Sequence, residues 1–158
     1  GLLEEAEGVF EPDLARPVGE GVAVLRRAAE RGVRVEIILA GRCDHPLLRR
    51  GARSTVERLL RRGVSVHEYA AGILHAKSAV FDGRLAVVGT SNLDRQSLQH
   101  SYEVNLLLAS PGIAGEIDRL FEADLERSAE VTLETLARRG LADRAFDRLA
   151  AAAVQAFV

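Results

Sequence analysis

Ionisable and hydrogen-bonding side chains are concentrated between residues 75 and 103. His75 and Lys77 are separated by one residue, and Asp82 comes five positions after Lys77. After six intervening residues, the chain reads Gly-Thr-Ser-Asn over residues 89–92. Alternate residues of a β-strand lie on the same face, so the spacing predicts that the imidazole of His75 and the ammonium of Lys77 lie side by side.

This set of side chains fits chemistry at a phosphoryl centre. A histidine can attack phosphorus or donate a proton near neutral pH, and a lysine ammonium stabilises charge that develops on the nonbridging oxygens. Thr90 and Asn92 would add neutral hydrogen-bond donors to the same phosphate. Glu103 could accept a hydrogen bond from the second ring nitrogen of His75, which would fix its tautomer. None of these steps needs a metal ion, and we expect no cofactor.

The composition singles out the same segment. Lys77 is the only lysine among 21 basic residues, and the others are arginines. Because the chain uses arginine for every other positive charge, we infer that arginine would not serve at position 77. The only two asparagines, Asn92 and Asn105, both follow Lys77 within 30 residues.

Composition also excludes several kinds of site. One cysteine, Cys43, rules out an internal disulfide framework and a multi-cysteine zinc site. No apolar run approaches the ~18 residues that a membrane-spanning helix needs. The chain has no methionine, even at position 1, and we therefore expect it to be part of a longer or processed protein.

A basic stretch runs from Arg26 to Arg62, with 11 arginines against four carboxylates in a chain of net charge −2. Such a stretch can face phosphate-bearing partners or an anionic membrane surface, or it can be a solvated helix face. Aromatic residues make up only 4% of the chain. Composition therefore indicates no stacking platform for single-stranded nucleic acid.

Apolar periodicity and turn residues predict alternating helices and strands. In chain order, the predicted elements are a helix over 18–31, a strand over 33–39, a helix capped by Asp44, a fresh helix from the capping-box pattern at Ser54 to Arg62, strands over 64–69, 76–81, 85–88 and 103–109, a helix from Pro111, a helical stretch over 129–138 and a last helix over 141–158. The phrase Arg-Gly-Val-x-Val occurs at residues 31–35 and again at 62–66. Asp82-Gly83 between two apolar runs predicts a hairpin turn, and we expect Asp82 to support the strand end rather than to transfer protons.

Helices that alternate with strands indicate an α/β fold. We expect a three-layer αβα sandwich with a mixed β-sheet. We also expect one catalytic domain over residues 1–128 and a helical C-terminal extension over 129–158 that packs on it. No segment rich in proline, glycine or serine marks a linker between the two.

The spacing of the candidate residues resembles the motif of the phospholipase D superfamily, HxKx4D followed by Gly-Ser-x-Asn. The matching residues are His75, Lys77, Asp82, Gly89 and Asn92, with Thr90 in the serine position and Glu103 where the family carries a later glutamate. Segments outside the motif look like the C-terminal half of bacterial cardiolipin synthases. These segments are 37–41, 44–47, 63–64, 68–69, 74–77, 91–94, 103–107 and 121–128.

The resemblance implies a transferase that moves a phosphatidyl group between two phosphatidylglycerol molecules and releases glycerol. It also implies a covalent phosphohistidine intermediate without a required metal. An anionic phospholipid would be the substrate, and the bacterial cytoplasmic membrane would be the location. The protein would associate with that membrane peripherally or through segments outside this chain.

The family builds one active site from two motifs, and this chain holds one. A second His-x-Lys is excluded because Lys77 is the only lysine. Three readings follow: the chain is the C-terminal half of a two-motif enzyme, it completes its site with a homodimer mate, or it is an inactive half. In the first reading the resemblance makes His75 the general acid and then the base, with the nucleophile on the other half.

Two rival functions stay open at this point. One is a homodimeric phosphodiesterase or endonuclease of the same superfamily, for which nucleic acid would be the partner. The other is a non-catalytic half that binds a membrane surface or a protein partner. The segments outside the motif and the absence of a stacking platform favour lipid over nucleic acid.

Overall fold

The computed structural model describes residues 19–41, 46–92, 101–138, 140, 143, 146–147 and 149–150. The elements are α1 (Gly19–Glu30), β1 (Glu36–Ala40), α2 (Pro46–Leu60), β2 (Ser65–Tyr69), β3 (Ser78–Phe81), β4 (Leu85–Gly89), β5 (Asn105–Leu108), α3 (Pro111–Leu125), β6 (Ser128–Val131) and α4 (Leu133–Ala137). In this part of the chain no helix is both long and apolar enough to cross a membrane.

The repeated Arg-Gly-Val phrase ends a helix in the same way twice. Gly32 has φ +88°, and its N–H donates to the carbonyl of Ala29 while the N–H of Val33 donates to Ala28. The same pair of bonds follows α2 at Gly63, where φ is +84°. A left-handed residue is needed at this position, and glycine adopts it without a Cβ clash. Both helices therefore lead directly into strands, as the sequence predicts.

The strands form two three-stranded sheets. In the first, of order β1-β2-β6, β1 runs parallel to β2 and β6 runs antiparallel to it, so this sheet is mixed. The second, of order β3-β4-β5, is wholly antiparallel. The α/β class and the mixed sheet are confirmed, while the strands predicted as one sheet hydrogen-bond as two.

The core lies between α1, α2 and the mixed sheet. Among the described residues, the buried cluster here consists of Val56 and Leu59 of α2, Val64 just before β2 and Val66 within it. Partly buried apolar side chains surround them, among them Val22, Leu25, Ala29, Val35, Ile37, Leu39, Leu60, Val131 and Leu136. The helix α3 contacts strands of both sheets, so it holds the second sheet against the first.

The predicted break inside α2 is wrong, because one helix runs through Ser54 and Glu57. Val56 lies inside the capping-box pattern and Leu59 lies two residues after it, and both are buried in the core. A continuous helix keeps both side chains on that face, and this packing outweighs the local capping preference of Ser54. The predicted cap Asp44 lies outside the described residues.

The predicted helix over 129–138 is wrong in its first half, because residues 128–131 form β6. Tyr69 pairs with Ser128 and Val66 with Val131, and Val131 packs on the core. Pairing with the open edge of β2 outweighs the helical preference of the local sequence. Thr132 then caps α4 by accepting a hydrogen bond from the N–H of Thr135 at 3.1 Å.

The C-terminal part agrees with a helix only where it is described. The described positions between 143 and 150 are helical, and most of the predicted last helix lies outside the described residues. The predicted boundary between residues 128 and 129 falls inside β6. The division into a catalytic domain and an extension therefore stays a prediction.

The hairpin predicted at Asp82-Gly83 is confirmed. Both residues have positive φ, +51° and +64°, and the N–H of Arg84 donates to the carbonyl of Phe81 at 3.1 Å. Positive φ at both central positions is typical of the tight turns that match the twist of antiparallel strands. The strands that meet here, β3 and β4, carry the motif residues at their far ends.

Candidate functional site

His75 and Lys77 lie in the irregular segment that leads into β3. This strand begins at Ser78, two residues later than predicted. His75 is exposed and Lys77 is half-buried. The ammonium of Lys77 donates to the backbone carbonyl of His75 at 3.0 Å. This contact joins the Lys77 side chain to the backbone of His75, and both residues precede β3 rather than lie on it.

A backbone hydrogen bond connects Lys77 to the end of the next strand. The N–H of Gly89, the last residue of β4, donates to the carbonyl of Lys77 at 3.0 Å. Gly89 in turn pairs with Asn105, the first residue of β5. The two pairings place Lys77, Gly89 and Asn105 in one row across three adjacent segments. The Gly-Thr-Ser-Asn segment therefore leaves the sheet beside the His-x-Lys segment.

Thr90 and Glu103 form the second contact at this end of the sheet. The N–H of Thr90 donates to the carbonyl of Val104 at 3.0 Å, and its hydroxyl oxygen accepts from the N–H of Val104 at 3.0 Å. The same hydroxyl donates to the carboxylate of Glu103. The predicted bond from His75 to Glu103 is not among the hydrogen bonds of the described residues. Here the carboxylate holds Thr90 instead.

Asn92 and Asp82 lie at opposite ends of the hairpin. Asn92 is exposed two residues beyond Thr90, at the last described position before residue 101. Asp82 is exposed at the hairpin turn, about 16 Å from Lys77 for five residues of extended chain. The structure therefore brings His75, Lys77, Thr90 and Glu103 to one end of the sheet and leaves Asp82 at the other. Asp82, a catalytic motif residue in the resemblance and a support of the strand end by its place in the turn, keeps either role as a prediction.

Two residues that sequence reasoning did not assign complete this end of the sheet. The side-chain amide of Asn105 donates to the hydroxyl of Ser91 at 2.7 Å, and the N–H of Ser91 points back to the amide oxygen at 3.4 Å. A signal for Asn105 was present, because it is one of only two asparagines in the chain. Nothing in the sequence pattern distinguishes Ser91 from an ordinary loop serine.

Much of the basic stretch is neutralised within the fold. Arg62 contacts Glu30 at 2.5 Å, and Arg61 contacts Glu57 at 2.7 Å. Further ion pairs are Arg26–Glu30, Arg34–Glu36, Arg50–Asp143, Arg50–Asp147 and Arg53–Asp147. These arginines serve the surface and the packing of α2, which favours the structural reading of the stretch over a phosphate-binding one.

The arrangement offers hydrogen-bond donors and a proton carrier at one exposed edge. The ammonium of Lys77 has two further N–H groups, and the described residues give it no carboxylate partner. In the same part of the chain no three histidine, cysteine, aspartate or glutamate side chains come together as a metal site. The edge is chemically suited to hold an oxyanion such as a phosphodiester next to an imidazole.

Comparisons with known proteins identify the family. Residues 10–125 match the family described as "Cardiolipin synthase, PLD-like domain". The chain is 38% identical over 120 residues to a cardiolipin synthase of Clostridium perfringens and 37% identical over 122 residues to cardiolipin synthase A of Erwinia tasmaniensis. These matches cover 76% and 77% of this chain but 25% of each relative. The matched region thus spans about a quarter of the length of those relatives.

Solved structures show the same fold at low sequence identity. The phospholipase D family member Nuc from Salmonella typhimurium matches with a TM-score of 0.63 and 16% identity, over 70% of this chain and 72% of that chain. NucT from Helicobacter pylori matches with a TM-score of 0.56 and 18% identity, over 69% and 72%. With the motif end of the sheet and the family match in agreement, the chain belongs to the phospholipase D-like domains of the cardiolipin synthase family.

Proposed function

We propose that this chain supplies one half of the active site of an enzyme that converts two phosphatidylglycerol molecules into cardiolipin and glycerol. The observation that carries the proposal is the end of the β3-β4-β5 sheet, where His75, Lys77 and Thr90 lie together inside the segment that matches the family. The 34–38% identity to proteins named cardiolipin synthase or probable cardiolipin synthase supports this substrate over other phosphodiesters.

The proposed reaction proceeds in two displacements at one phosphorus atom. A histidine of the other half attacks the phosphorus of the first phosphatidylglycerol, and the bond from phosphorus to the terminal glycerol oxygen breaks. His75 donates its proton to that oxygen, so glycerol leaves and a phosphohistidine remains. His75 then removes the proton from a hydroxyl of the second phosphatidylglycerol. That oxygen attacks the phosphohistidine, which yields cardiolipin and frees the histidine.

The other motif residues have supporting roles in this scheme. The ammonium of Lys77 stabilises the extra negative charge on the nonbridging oxygens in each transition state. The Asn92 amide donates hydrogen bonds to the same oxygens. The one O–H of Thr90 is donated to the Glu103 carboxylate and its N–H to the carbonyl of Val104, so Thr90 and Glu103 support the loop that carries Asn92. Asp82 supports the hairpin that carries Lys77 to its position.

The nucleophilic half lies outside this chain in the proposal. Lys77 is the only lysine, so the chain has no second His-x-Lys. The relatives are about four times as long as the matched segment, which favours a second motif in the same polypeptide over a homodimer mate. The substrate is a bilayer lipid, and we propose that the enzyme acts at the bacterial cytoplasmic membrane.

The test uses the full-length protein on vesicles that contain labelled phosphatidylglycerol. Cardiolipin and glycerol should appear in equal amounts, EDTA should not reduce the rate, and His75→Asn should abolish it. Arg84→Lys is the control, because Arg84 is exposed at the hairpin turn away from the site. Activity that needs a metal ion and survives His75→Asn would refute the assignment.

A parallel incubation with plasmid DNA separates the rival functions. Cleavage of DNA without cardiolipin formation would identify the homodimeric phosphodiesterase or endonuclease. Failure of both substrates, with vesicle binding retained, would identify the non-catalytic half. The oligomeric state of the active protein then decides between a homodimer and a two-motif chain.

A further inference from the structure

The side chain of Asn105 spans the motif glycine and reaches the loop beyond it. Asn105 pairs with Gly89 across β4 and β5, yet its amide binds Ser91, two residues further along. The amide nitrogen donates to the Ser91 hydroxyl at 2.7 Å, and the amide oxygen faces the Ser91 N–H at 3.4 Å. One side chain therefore holds both a backbone group and a side chain of the Thr90–Asn92 segment.

This contact depends on the absence of a side chain at residue 89. A Cβ on Gly89 would overlap the amide oxygen of Asn105 and would lie 2.5 Å from the carbonyl oxygen of Val104. The φ of Gly89 is not in the left-handed region, so the glycine is needed for space and not for backbone freedom. The absence of a side chain at Gly89 thus leaves the space that the Asn105 amide occupies.

The residue type at position 105 is informative. Asparagine is unfavourable in strands, and the rest of β5 is leucine. The amide, however, is both a donor and an acceptor, so it can donate to the Ser91 hydroxyl and accept from the Ser91 N–H. A leucine at this position would fit the strand better and would do neither.

The segment that Asn105 holds carries a proposed phosphate ligand, Asn92. Thr90 is fixed by its bonds to Val104 and Glu103, whereas Asn92 has no hydrogen-bond partner among the described residues. Among the described residues, Asn105 is the only side chain that hydrogen-bonds to the backbone between them, through the N–H of Ser91. The direction in which Asn92 leaves the sheet therefore depends on this contact.

We propose that Asn105 is a positioning residue that sets the Ser91–Asn92 segment for phosphate binding through its amide. The proposal rests on the proposed function of the site. Asn105 itself does not touch the phosphate. It acts by holding Ser91, so that the Asn92 amide meets the nonbridging oxygens next to Lys77.

The experiment compares Asn105→Leu, Asn105→Asp and Ser91→Ala in the full-length protein on phosphatidylglycerol vesicles. Asn105→Leu should lower kcat by about a hundredfold, the loss typical of a group displaced by about 1 Å. Its apparent Tm should not fall, because leucine is the better strand residue. Asn105→Asp, which can still accept from the Ser91 N–H, should recover part of the rate. Asn105→Leu combined with Ser91→Ala should be no slower than Asn105→Leu alone.

Hydrogen exchange of residues 89–92 provides a readout that does not require turnover. Asn105→Leu should speed exchange at the Ser91 amide. If the wild-type protein forms no cardiolipin, the proposed function is refuted. Faster exchange at Ser91 in Asn105→Leu would still support the contact between Asn105 and Ser91. Wild-type activity with an unchanged kcat for Asn105→Leu, or a loss of rate that follows a loss of Tm, would overturn the role of Asn105.

Discussion

Replacement of Gly89 by alanine tests the close approach of β4 and β5 at the site. The added methyl would overlap the Asn105 amide oxygen and would lie 2.5 Å from the Val104 carbonyl oxygen and 2.8 Å from the Asn105 Cα. The last two atoms belong to the backbone of the neighbouring segment and cannot rotate away. The strands must therefore separate at the row that contains Lys77.

The expected loss is large for the addition of one methyl group. Overpacking of this kind costs about 1–3 kcal/mol, and the involvement of backbone atoms places Gly89→Ala near the upper end of that range. In a domain of this size, each kcal/mol lowers Tm by about 2–4 °C. Gly115→Ala is the matched control, because a Cβ there meets no atom within 4 Å and alanine exceeds glycine in helix stability by about 0.8–1 kcal/mol.

The double variant Gly89→Ala/Asn105→Ala shows which atoms matter. Removal of the Asn105 amide relieves one overlap, while the carbonyl of Val104 and the Cα of Asn105 stay in place. We expect the double variant to remain destabilised in thermal unfolding of the full-length protein, with Gly115→Ala unchanged or more stable. If Gly89→Ala unfolds at the same temperature as Gly115→Ala, the close packing of β4 against β5 at Gly89 is refuted.

Two further predictions concern charges. Lys77→Arg should lower kcat on phosphatidylglycerol vesicles by about a hundredfold because a planar guanidinium displaces the phosphate. Arg84→Lys, the control, should leave kcat within twofold. Equal rates for both variants would contradict the inference that arginine cannot replace Lys77. Asp147→Ala should lower the stability by about 2 kcal/mol, because its 11%-exposed side chain pairs with two arginines of α2. Asp143→Ala, whose side chain is 47% exposed, should cost less than about 0.5 kcal/mol in the same unfolding assay.

Elements with strong local rules could be predicted from sequence. The two Arg-Gly-Val phrases fix the ends of α1 and α2 because glycine takes the left-handed conformation that closes both helices. Asp82-Gly83 fixes the hairpin, since both residues adopt positive φ in the turn. Ser110 and Pro111 start α3, where the serine side chain caps the first turn.

Elements that depend on partners distant in the sequence could not be predicted. Residues 128–131 have a local sequence compatible with a helix, and they form β6 only because β2 offers an open edge. Ser54 and Glu57 have the spacing of a helix start, yet the burial of Val56 and Leu59 carries the helix through them. The Glu103 carboxylate was expected at His75 and is held by Thr90, a contact set by the β4–β5 register.

The spacing of the motif residues along the chain follows from the lengths of the two hairpin strands and their turn. The four residues between Lys77 and Asp82 are the four residues of β3, and the six between Asp82 and Gly89 are the remainder of the turn and β4 up to its last residue. Gly89 therefore lies opposite Lys77, and its N–H donates a hydrogen bond to the Lys77 carbonyl. A change of one residue in either strand would shift this pairing and reverse the facing side chains. A role for Asp82 in proton transfer is not needed to explain its spacing from Lys77 and Gly89, because the hairpin alone requires that spacing.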